Sequence, residues 1–526
     1  MPSIYFINPR CDHPSYYTLD IFGAGGLAQA TLIADLTITT LAAMVPETFD
    51  VTLCDENIEE IDFEFRPDFV ALTGKVSQWG RMKEIAGLFR AAGVTVLLGG
   101  PHASLSPDLV RPHCDILVQG EIEAIYEQLF DDLATGNWKK GYTGNKPALT
   151  KRILPRWDLY RNDRALSGTL QSSRGCPFDC EFCDVIEYLG RKQRHKDVDD
   201  VLAELDVLYD VGYRSVFLAD DNFTAYRARA RELVEGLRRW NAARPDGQNV
   251  QFVTQVSIDA SRDPELLRAC ADAGLQHVFI GIETPNQDSL AISGKRQNLR
   301  DNLTAQIEEF VKNSIVVDGG MIVGFDGDHS DIFQIQFDFA MNTPVPVFTL
   351  GALVAPAATR LHGRLSKEKR LIEGGAELAE VAASPWSTNI EPLHMTRDEL
   401  FRGIQWLCNA LYRPDAFGRR VHRLIDLFGS DYESTFVPSQ PTRDIQIECL
   451  VVISKIRRLG PDEAAMVNSI MPRLRNSPGL AAAVIVCLTR YAQIRYMYAQ
   501  SQFWVDDLSS LQTEDYSTEF RMQNVA

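Results

Sequence analysis

The chain has 526 residues, of which 45% are hydrophobic and 24% charged, a composition typical of globular proteins rather than disordered ones. This length exceeds what one hydrophobic core usually supports, so we expect two or three domains. The 53 basic and 71 acidic residues give a net charge of −18. That charge argues against a nucleic-acid-binding surface, because such a surface needs an excess of Lys and Arg.

No targeting segment is expected from the sequence. The first residues, MPSIYFINPR, lack a basic region followed by an apolar core, so they do not predict a signal peptide. The most apolar late stretch, Leu480 to Leu488, is about half the length of a membrane span, so no transmembrane segment is expected. Ten cysteines are too few for a disulfide scaffold. We therefore predict a cytoplasmic protein, in which clustered cysteines indicate a metal site.

Residues 1–145 show alternating strand and helix patterns, including a helix predicted over residues 31–45. Because the strands are apolar throughout, they predict a doubly wound, Rossmann-like parallel sheet. Such sheets bind ligands at the carboxyl ends of their strands, where glycines let the backbone approach a large ligand closely. The candidate residues at these ends are Asn8, Thr73, Gly74, Lys75, Gly99, Gly100, Pro101, Gly120 and Glu121.

The rest of the chain divides by its periodicity. The glycine-rich residues 23–26 predict a flexible loop over the sheet edge, and residues 146–165 predict a linker because prolines and charges interrupt the pattern. Residues 166–358 contain six βα units, which predict a partial or full barrel with its active site at the carboxyl ends of the strands. Residues 359–505 have apolar residues at helical spacing and predict a helical domain, and residues 506–526 predict a flexible tail.

The stretch SSRGCPFDCEFCDV places Cys176, Cys180 and Cys183 in a loop directly after the first barrel strand. Three thiols hold one tetrahedral zinc only with a fourth partner, and zinc sites favour C-x₂-C pairs with a second pair elsewhere. Three thiolates can instead hold three irons of a [4Fe–4S] cube and leave the fourth iron open to a small molecule. Coincidental cysteines and a structural zinc are the alternatives. The other seven cysteines are scattered and form no second cluster in the sequence.

The pattern C-x₃-C-x-aromatic-C, with Phe182 before the last cysteine, resembles the signature of the radical S-adenosylmethionine (radical SAM) enzymes. The resemblance covers roughly residues 165–355. It implies a [4Fe–4S] cluster on the three cysteines, with SAM bound to the fourth iron through its amino and carboxylate groups. It also implies a reductant such as flavodoxin or ferredoxin, whose electron cleaves SAM to a 5′-deoxyadenosyl radical. The cofactors carry this chemistry and the protein positions them.

The same resemblance implies a set of SAM contacts along the barrel strands. The segment ADDNF ends the second strand, where the family holds the SAM amino group; Asp and Asn are also favoured at helix N-caps. The predicted SAM-binding residues are Phe182, Asp220, Asp221, Asn222, Gln255, Ser257, Gly281, Glu283 and Gly324. The basic residues 190–196 are a further candidate for binding the SAM carboxylate or an acidic substrate, with a solvated run of charges as the alternative.

A doubly wound domain ahead of this barrel, with LGGPH and VQGEIE at strand ends, resembles the cobalamin-binding radical SAM group. The helical segment LCNALYRPDAF resembles the extension of one branch of that group. The chain lacks D-x-H-x-x-G, so no histidine of that motif can ligate cobalt, and the lone loop residue His102 is expected to be structural or exposed. The lower face of cobalamin would meet Thr73, Gly74, Lys75, Ser77, Gln78 and Trp79. The alternative is a domain that has kept the fold without the cofactor.

Together these resemblances predict a cobalamin-dependent radical SAM enzyme that functionalises a small-molecule or natural-product substrate, with methylation of an unactivated carbon as the favoured reaction. One alternative is cyclisation, rearrangement or C–C bond formation, in which cobalamin is absent or has another role. Another is a non-catalytic iron–sulfur or corrinoid-binding protein. Residues 355–359, APAAT, stand where relatives usually have Pro-Gly-Thr-Pro, so the substrate is not predicted from those relatives.

Overall fold

A computed structural model of the chain describes residues 1–11, 13–299, 302–372, 385–439, 443–475 and 477–511. It contains two parallel sheets followed by a helical region, as the sequence predicts. Most of the predicted tail, residues 512–526, lies outside the described residues. The described part of that tail ends in a short turn at Leu508–Leu511.

In chain order, the strands are β1 (Ser3–Asn8), β2 (Thr31–Ile33), β3 (Asp50–Asp55), β4 (Phe69–Thr73), β5 (Thr95–Gly99), β6 (Ile116–Gln119), β7 (Gly141–Thr143), β8 (Ala165–Leu170), β9 (Ser173–Arg174), β10 (Arg194–His195), β11 (Ser215–Leu218), β12 (Gln251–Val256), β13 (Leu275–Glu283), β14 (Val316–Val323) and β15 (Phe348–Ala352). The helices are α1 (Asp20–Ala24), α2 (Leu36–Met44), α3 (Trp79–Ala91), α4 (Gly100–Leu105), α5 (Pro107–Val110), α6 (Tyr126–Thr135), α7 (Val185–Tyr188), α8 (Val198–Asp210), α9 (Arg227–Ala242), α10 (Pro264–Asp272), α11 (Gln287–Ile292), α12 (Leu303–Lys312), α13 (Ile332–Met341), α14 (Arg360–Lys367), α15 (Arg397–Leu411), α16 (Pro414–Leu427), α17 (Asp444–Ile456), α18 (Pro461–Ile470) and α19 (Pro478–Gln500).

The first sheet is doubly wound, with strand order β3-β1-β4-β5-β6-β7 and parallel pairing throughout. Side chains alternate between its faces, so both faces carry apolar residues. On one face Tyr5 and Ile7 join the core that includes Trp79 and Met82 of α3. On the other, Phe6 belongs to the core shared with α2 and α6. This arrangement confirms the predicted Rossmann-like fold.

The second sheet has the order β15-β14-β13-β12-β11-β8-β2, again parallel, and forms a partial barrel. Six of its strands are those predicted from the sequence. The seventh, β2, pairs Thr31 with Ala165 and Ile33 with Ser167. The helix predicted over residues 31–45 therefore begins only at Leu36, and the predicted unit 1–145 contributes one strand to the barrel. Tertiary pairing determines this strand, because three residues are too few for a local pattern.

The predicted flexible loop and the predicted linker are both packed against the rest of the protein. Gly23 lies within α1, which contacts α17 and α19, so the glycine-rich residues 23–26 do not form a free loop. In the predicted linker, Trp157 and Tyr160 are 1% and 7% exposed. The Tyr160 hydroxyl donates to Asp55 Oδ2 at 2.6 Å, which ties the connector to the end of β3.

A buried carboxyl group at the start of α2, close to Asp55, has a raised pKa. Asp35 caps that helix by accepting from Ile38 N at 2.8 Å. Burial, and then the nearby Asp55 carboxylate, raise its pKa to about 6. A carboxyl whose pKa is raised on folding stabilises the fold fully below its unfolded value, near 3.8, and loses that contribution as the pH rises through 6.

We therefore expect Asp35→Asn, which removes the charge, to raise the free energy of unfolding by about 1–2 kcal/mol at pH 7 and to have little effect at pH 4. Denaturant titrations at the two pH values measure this. The control is Asp158→Asn. The Arg156 guanidinium lowers the pKa of the exposed Asp158, so the contribution of Asp158 to stability is lost as the pH falls rather than as it rises. Equal effects of Asp35→Asn at both pH values would contradict the argument.

The C-terminal region is helical, as predicted. Helix α14 begins after Thr359, whose hydroxyl caps it, and the long helix α19 lies against the barrel. Near the open edge of the barrel, the Tyr16 hydroxyl donates to Leu350 O of β15 at 3.0 Å and contacts the Tyr498 hydroxyl of α19 at 3.1 Å. Among the described residues, no helix combines the length and apolar character that a membrane span requires.

Candidate active site

A cavity of about 600 Å³ lies between the carboxyl ends of the two sheets. The first sheet and the loops after its strands contribute Thr73, Lys75, Gly99, Gly100, Pro101, Gly120, Glu121 and Glu123. The barrel and the loop after the cysteines contribute Gln171, Arg174, Asp184, Val185, Tyr188, Leu189, Phe217, Ala219, Asp221 and Gln255. Helix α2 adds a wall that the sequence did not indicate, formed by Leu36, Thr37, Thr40, Leu41 and Met44.

Two glycines in the cavity wall have backbone conformations and close neighbours that exclude any side chain. Gly100 has a φ of +91°, and a Cβ there would lie 2.6 Å from Thr73 Oγ1. Gly120 has a φ of +72°, and a Cβ there would collide with Gly144 O. Both positions therefore require glycine, and the bare backbone at the strand ends forms a cradle for a large ligand.

Four residues of the predicted cobalamin-facing segment do not line the cavity. Trp79 is 1% exposed and packs against the rings of His102 and His113. Gln78 donates to Asn8 Oδ1 at 2.9 Å and accepts from Lys75 N at 2.9 Å. Gly74 and Ser77 are likewise absent from the lining. Of this segment, Thr73 and Lys75 reach the cavity, so the segment mainly builds the loop that presents them.

His102 is structural, as expected, but it lies within α4 rather than in a loop. It is 4% exposed and packs at a tilt on Trp79, with the ring centroids 4.9 Å apart. Burial lowers its pKa to about 4, so the ring is neutral at ordinary pH. It does not line the cavity.

The loop that carries Cys176, Cys180 and Cys183 is held at several points. Cys176 N donates to Gly190 O at 3.2 Å. Glu181 N donates to Ser293 O at 3.0 Å, and Glu181 O accepts from Leu361 N of α14 at 3.0 Å. These backbone contacts fix the loop between the strand ends and α14.

Charged and aromatic side chains reinforce this position. Arg364 of α14 contacts Glu181 at 2.7 Å and Asp326 at 2.6 Å, so one guanidinium joins the cysteine loop to the end of β14. Phe182 packs edge-to-face on Phe325 at 5.7 Å. In this structure the aromatic residue of the cysteine motif therefore has a packing role, and nothing in the local sequence indicates the Arg364 contact.

The thiols lie in a largely buried environment that also contains a buried ammonium group. Burial raises the pKa of Cys183 to about 12, and it also raises the pKa values of Cys176 and Cys180. Lys295 opposes these shifts. The thiols are therefore protonated near neutral pH until a metal displaces the protons.

The donor set has the chemistry that an iron–sulfur cube requires, three thiols on one loop. Among the residues that the structure describes, no three His, Cys, Asp or Glu side chains are arranged to hold one metal ion. A cube needs a different arrangement, because each of its three thiolates binds a separate iron at its own corner. Three thiols on one anchored loop, with Asp184 and Val185 of the same loop lining the cavity, match that requirement.

Two of the predicted SAM-binding residues line the cavity. Asp221 accepts from Gly175 N at 2.7 Å, and burial raises its pKa to about 6. Gln255 lies at the end of β12. Both are within the same cavity wall as the residues that follow Cys183, so a ligand that touches one can touch the others.

Three other predicted SAM-binding residues form hydrogen bonds within the protein. The Asp220 carboxylate accepts from the backbone N and hydroxyl of both Ser172 and Ser173, at 2.5–3.0 Å. Asn222 donates to the Ser257 hydroxyl at 2.5 Å. These contacts shape the turn that leads into the cysteine loop. Direct contact of these residues with SAM stays a prediction.

Glu283 lies at the end of β13 in a strained conformation. Its φ is +65°, and the register of β13 against β14 shifts between Gly281 and Glu283. Its carboxylate accepts from Lys295 Nζ at 2.7 Å, with both side chains nearly buried. Strain of this kind is costly and is often retained at functional sites. Gly324, the last predicted contact, has a φ of +102° and donates its N–H to Asp328 Oδ2 at 2.9 Å.

The basic residues 190–196 are largely neutralised. Arg194 contacts Glu121 at 2.5 Å, Lys196 contacts Glu204 at 2.5 Å and Arg191 contacts Asp179 at 3.3 Å. Glu121 also accepts from Arg174 at 2.8 Å. Arg174 and Arg194 lie opposite each other in the short antiparallel pair of β9 and β10, so they join this pair to the end of β6. Arg194 and Lys196 are therefore engaged in ion pairs, whereas Arg191 and Lys192 are exposed.

Comparison with known proteins agrees with this arrangement. The Radical SAM superfamily model matches residues 170–334, and a domain of unknown function (DUF4070) matches residues 359–500. The chain is 33% identical over 353 residues to the uncharacterized methyltransferase sll1242 of Synechocystis sp., covering 66% of this chain and 65% of that protein. It is 30% identical over 344 residues to the hopanoid C-2 methylase of Rhodopseudomonas palustris, covering 64% of each. The chain thus spans slightly less than two thirds of these relatives.

The fold is similar to that of the cobalamin-dependent S-adenosylmethionine radical enzyme OxsB, solved with aqua-cobalamin and S-adenosylmethionine bound. The TM-score is 0.61 at 14% identity, covering 98% of this chain and 82% of that one. The likeness therefore includes the first sheet, the barrel and the helical region. The Radical SAM superfamily model thus matches the part of the chain, residues 170–334, that carries the cysteine loop near its start.

Proposed function

We propose that this chain is a cobalamin-dependent radical SAM enzyme that methylates an unactivated carbon of a small-molecule substrate. The observation that carries the proposal is the shared cavity, whose wall combines the strand ends of a Rossmann-like sheet with the loop that follows Cys183. When bound, the cluster and SAM supply a carbon-centred radical, and cobalamin supplies a methyl group. The names of the two curated relatives, a methyltransferase and a methylase, support this choice of reaction.

The residues of this chain would hold the cofactors as follows. Cys176, Cys180 and Cys183 would bind three irons, and Asp221 and Gln255 would meet SAM beside them. The glycine-lined strand ends, with Thr73 and Lys75, would face the corrin ring. The anchored loop and the arginine contacts of Glu121 keep the two halves of the cavity in fixed positions, and apolar α2 limits the water around a reactive intermediate.

The test is anaerobic purification with cobalamin supplied, followed by iron, sulfide and cobalt analysis and an absorbance spectrum. About four irons and one cobalt per chain are expected. Under reducing conditions the loaded protein should cleave SAM. Iron without cobalt would instead favour a radical SAM enzyme that cyclises or rearranges its substrate, and metal binding without SAM cleavage would favour a non-catalytic protein.

Cobalt content also tests the cradle in the first sheet. Gly100→Ala places a methyl group 2.6 Å from Thr73 Oγ1 at a φ of +91°. We expect it to lower cobalt content at least about tenfold and to destabilise the loop by about 1–2 kcal/mol, the cost of a left-handed conformation for alanine. Iron content should not change, because the cysteine loop is on the other sheet.

The matched control is Gly87→Ala, on α3 of the same domain. A Cβ there meets no atom within 4 Å, and the position is helical. This change should leave cobalt content unaltered and stabilise the helix by about 0.5–1 kcal/mol. Normal cobalt binding by Gly100→Ala would mean that the cofactor does not lie against this strand end.

A further inference from the structure

A second polar cluster lies inside the barrel and does not line the cavity. It consists of His277 on β13, Asp318 on β14 and Arg490 on α19. His277 Nε2 lies 2.9 Å from Asp318 Oδ2, and Arg490 Nη1 forms an ion pair with the same oxygen. Asp318 and Arg490 are 5% and 4% exposed. The proposed binding of the cluster, SAM and cobalamin uses none of these three residues.

Strand register shows which way this cluster faces. Gln255 pairs with Phe279, and Phe279 pairs with Asp318. Neighbours in a parallel sheet point to the same side, so Asp318 faces the barrel interior with Gln255, which lines the cavity. Two strand spacings separate them, or about 10 Å. The cluster is therefore in the same barrel interior as the candidate active site, at a distance that a small organic molecule can span.

One edge of the Arg490 guanidinium, formed by Nε and Nη2, is buried and makes no hydrogen bond to any described residue. These two N–H groups project side by side, which is the fork that binds a carboxylate with two parallel hydrogen bonds. Buried donors of this kind are normally paired. The free edge therefore indicates a missing acceptor.

The guanidinium lies beside a partly exposed side chain and is held in place. The Tyr17 ring is 5.8 Å from the guanidinium carbon and is 44% exposed, so a ligand that enters from solvent on this side would pass Tyr17. Asp318 takes the opposite side of the guanidinium through Nη1 and fixes its orientation. His277 in turn orients Asp318. The free edge is thus held in place before any ligand arrives.

We propose that Arg490 binds a carboxylate of the substrate, so that the acceptor molecule is an organic acid whose reacting carbon is directed toward the cavity. This inference rests on the proposed function, because it names the class of molecule that is methylated. Arg490 is a substrate-binding residue, while Asp318 and His277 are positioning residues. Because Arg490 lies in the domain of unknown function, residues 359–500, the proposal gives that domain a role in substrate selection.

Binding of acetate, succinate and 4-bromobenzoate to the purified full chain, measured by calorimetry without a reductant, tests the proposal. We expect saturable binding of at least one carboxylate and none of the neutral amide 4-bromobenzamide. Arg490→Gln should weaken binding about 10- to 100-fold, and Arg490→Lys should restore only part of it, because an ammonium lacks the fork. The matched control is Arg495→Gln on the same helix, whose guanidinium is already paired with Glu463 at 2.8 Å. It should bind as the unaltered chain does.

A crystal structure with 4-bromobenzoate gives a measurement that needs no variant, in case Arg490→Gln fails to fold. Anomalous density from bromine inside the barrel, with the carboxylate on Nε and Nη2, is the expected result. Bromine elsewhere, no binding of any of the three acids, or equal binding of the amide would overturn the proposal. Since these assays need neither cluster nor cobalt, their failure is distinguishable from failure of the proposed function, which metal analysis and SAM cleavage report.

Discussion

Replacing any one of Cys176, Cys180 and Cys183 by alanine should reduce the iron content of the anaerobically reconstituted protein from about four per chain to below about one and abolish 5′-deoxyadenosine formation. Each thiol is the sole protein ligand expected for one iron, and the neighbouring Gln297, whose Nε2 donates toward Cys180 Sγ, supplies no anionic ligand. Iron and sulfide analysis, electron paramagnetic resonance and product chromatography measure the two effects.

The control for this experiment is a cysteine outside the loop. Cys270 is 3% exposed on α10, where it behaves as a small apolar residue. Cys270→Ala should keep the iron content and SAM cleavage, with a modest loss of stability. Full iron content in any of the three loop variants would show that the cluster is not held by this triplet.

The second large effect concerns the buried pair of Lys295 and Glu283. Burial by itself lowers the pKa of Lys295, but the Glu283 carboxylate outweighs burial and raises it, and the ionised form of Cys180 adds to this rise. Glu283→Gln leaves the ammonium buried without its partner. We expect a loss of about 3–5 kcal/mol in the free energy of unfolding of the metal-free chain, the usual cost of breaking a buried ion pair from one side.

The double variant separates the pair from the individual residues. Lys295→Met combined with Glu283→Gln removes both charges, so it should be more stable than either single variant. The control is Glu309→Gln, which removes a partly exposed partner of Lys312 at 3.9 Å and should cost less than about 1 kcal/mol. Denaturant midpoints of these variants and the unaltered chain give the comparison. Additive losses in the double variant would mean that the two groups do not stabilise each other.

The placement of the predicted site residues shows where local patterns stop being informative. Asp220 and Asp221 are adjacent and chemically identical, yet Asp220 bonds to two serines whereas Asp221 lines the cavity. Because side chains in extended segments alternate in direction, one of two neighbours faces away. Which one reaches the ligand depends on the strand's position in the sheet, and that position is set by distant residues.

Local patterns in the chain were enough to predict the two α/β regions, the helical end and the loop of three thiols, because periodicity and close spacing are properties that one stretch of residues carries in full. Other features became visible only in three dimensions: Thr31–Ile33 joins the barrel, Lys295 lies beside the thiols, and Arg490 places a free guanidinium edge inside the barrel. Each of these depends on contacts between segments far apart in the chain. Burial and pairing change the chemistry of such residues without leaving a mark in their local sequence.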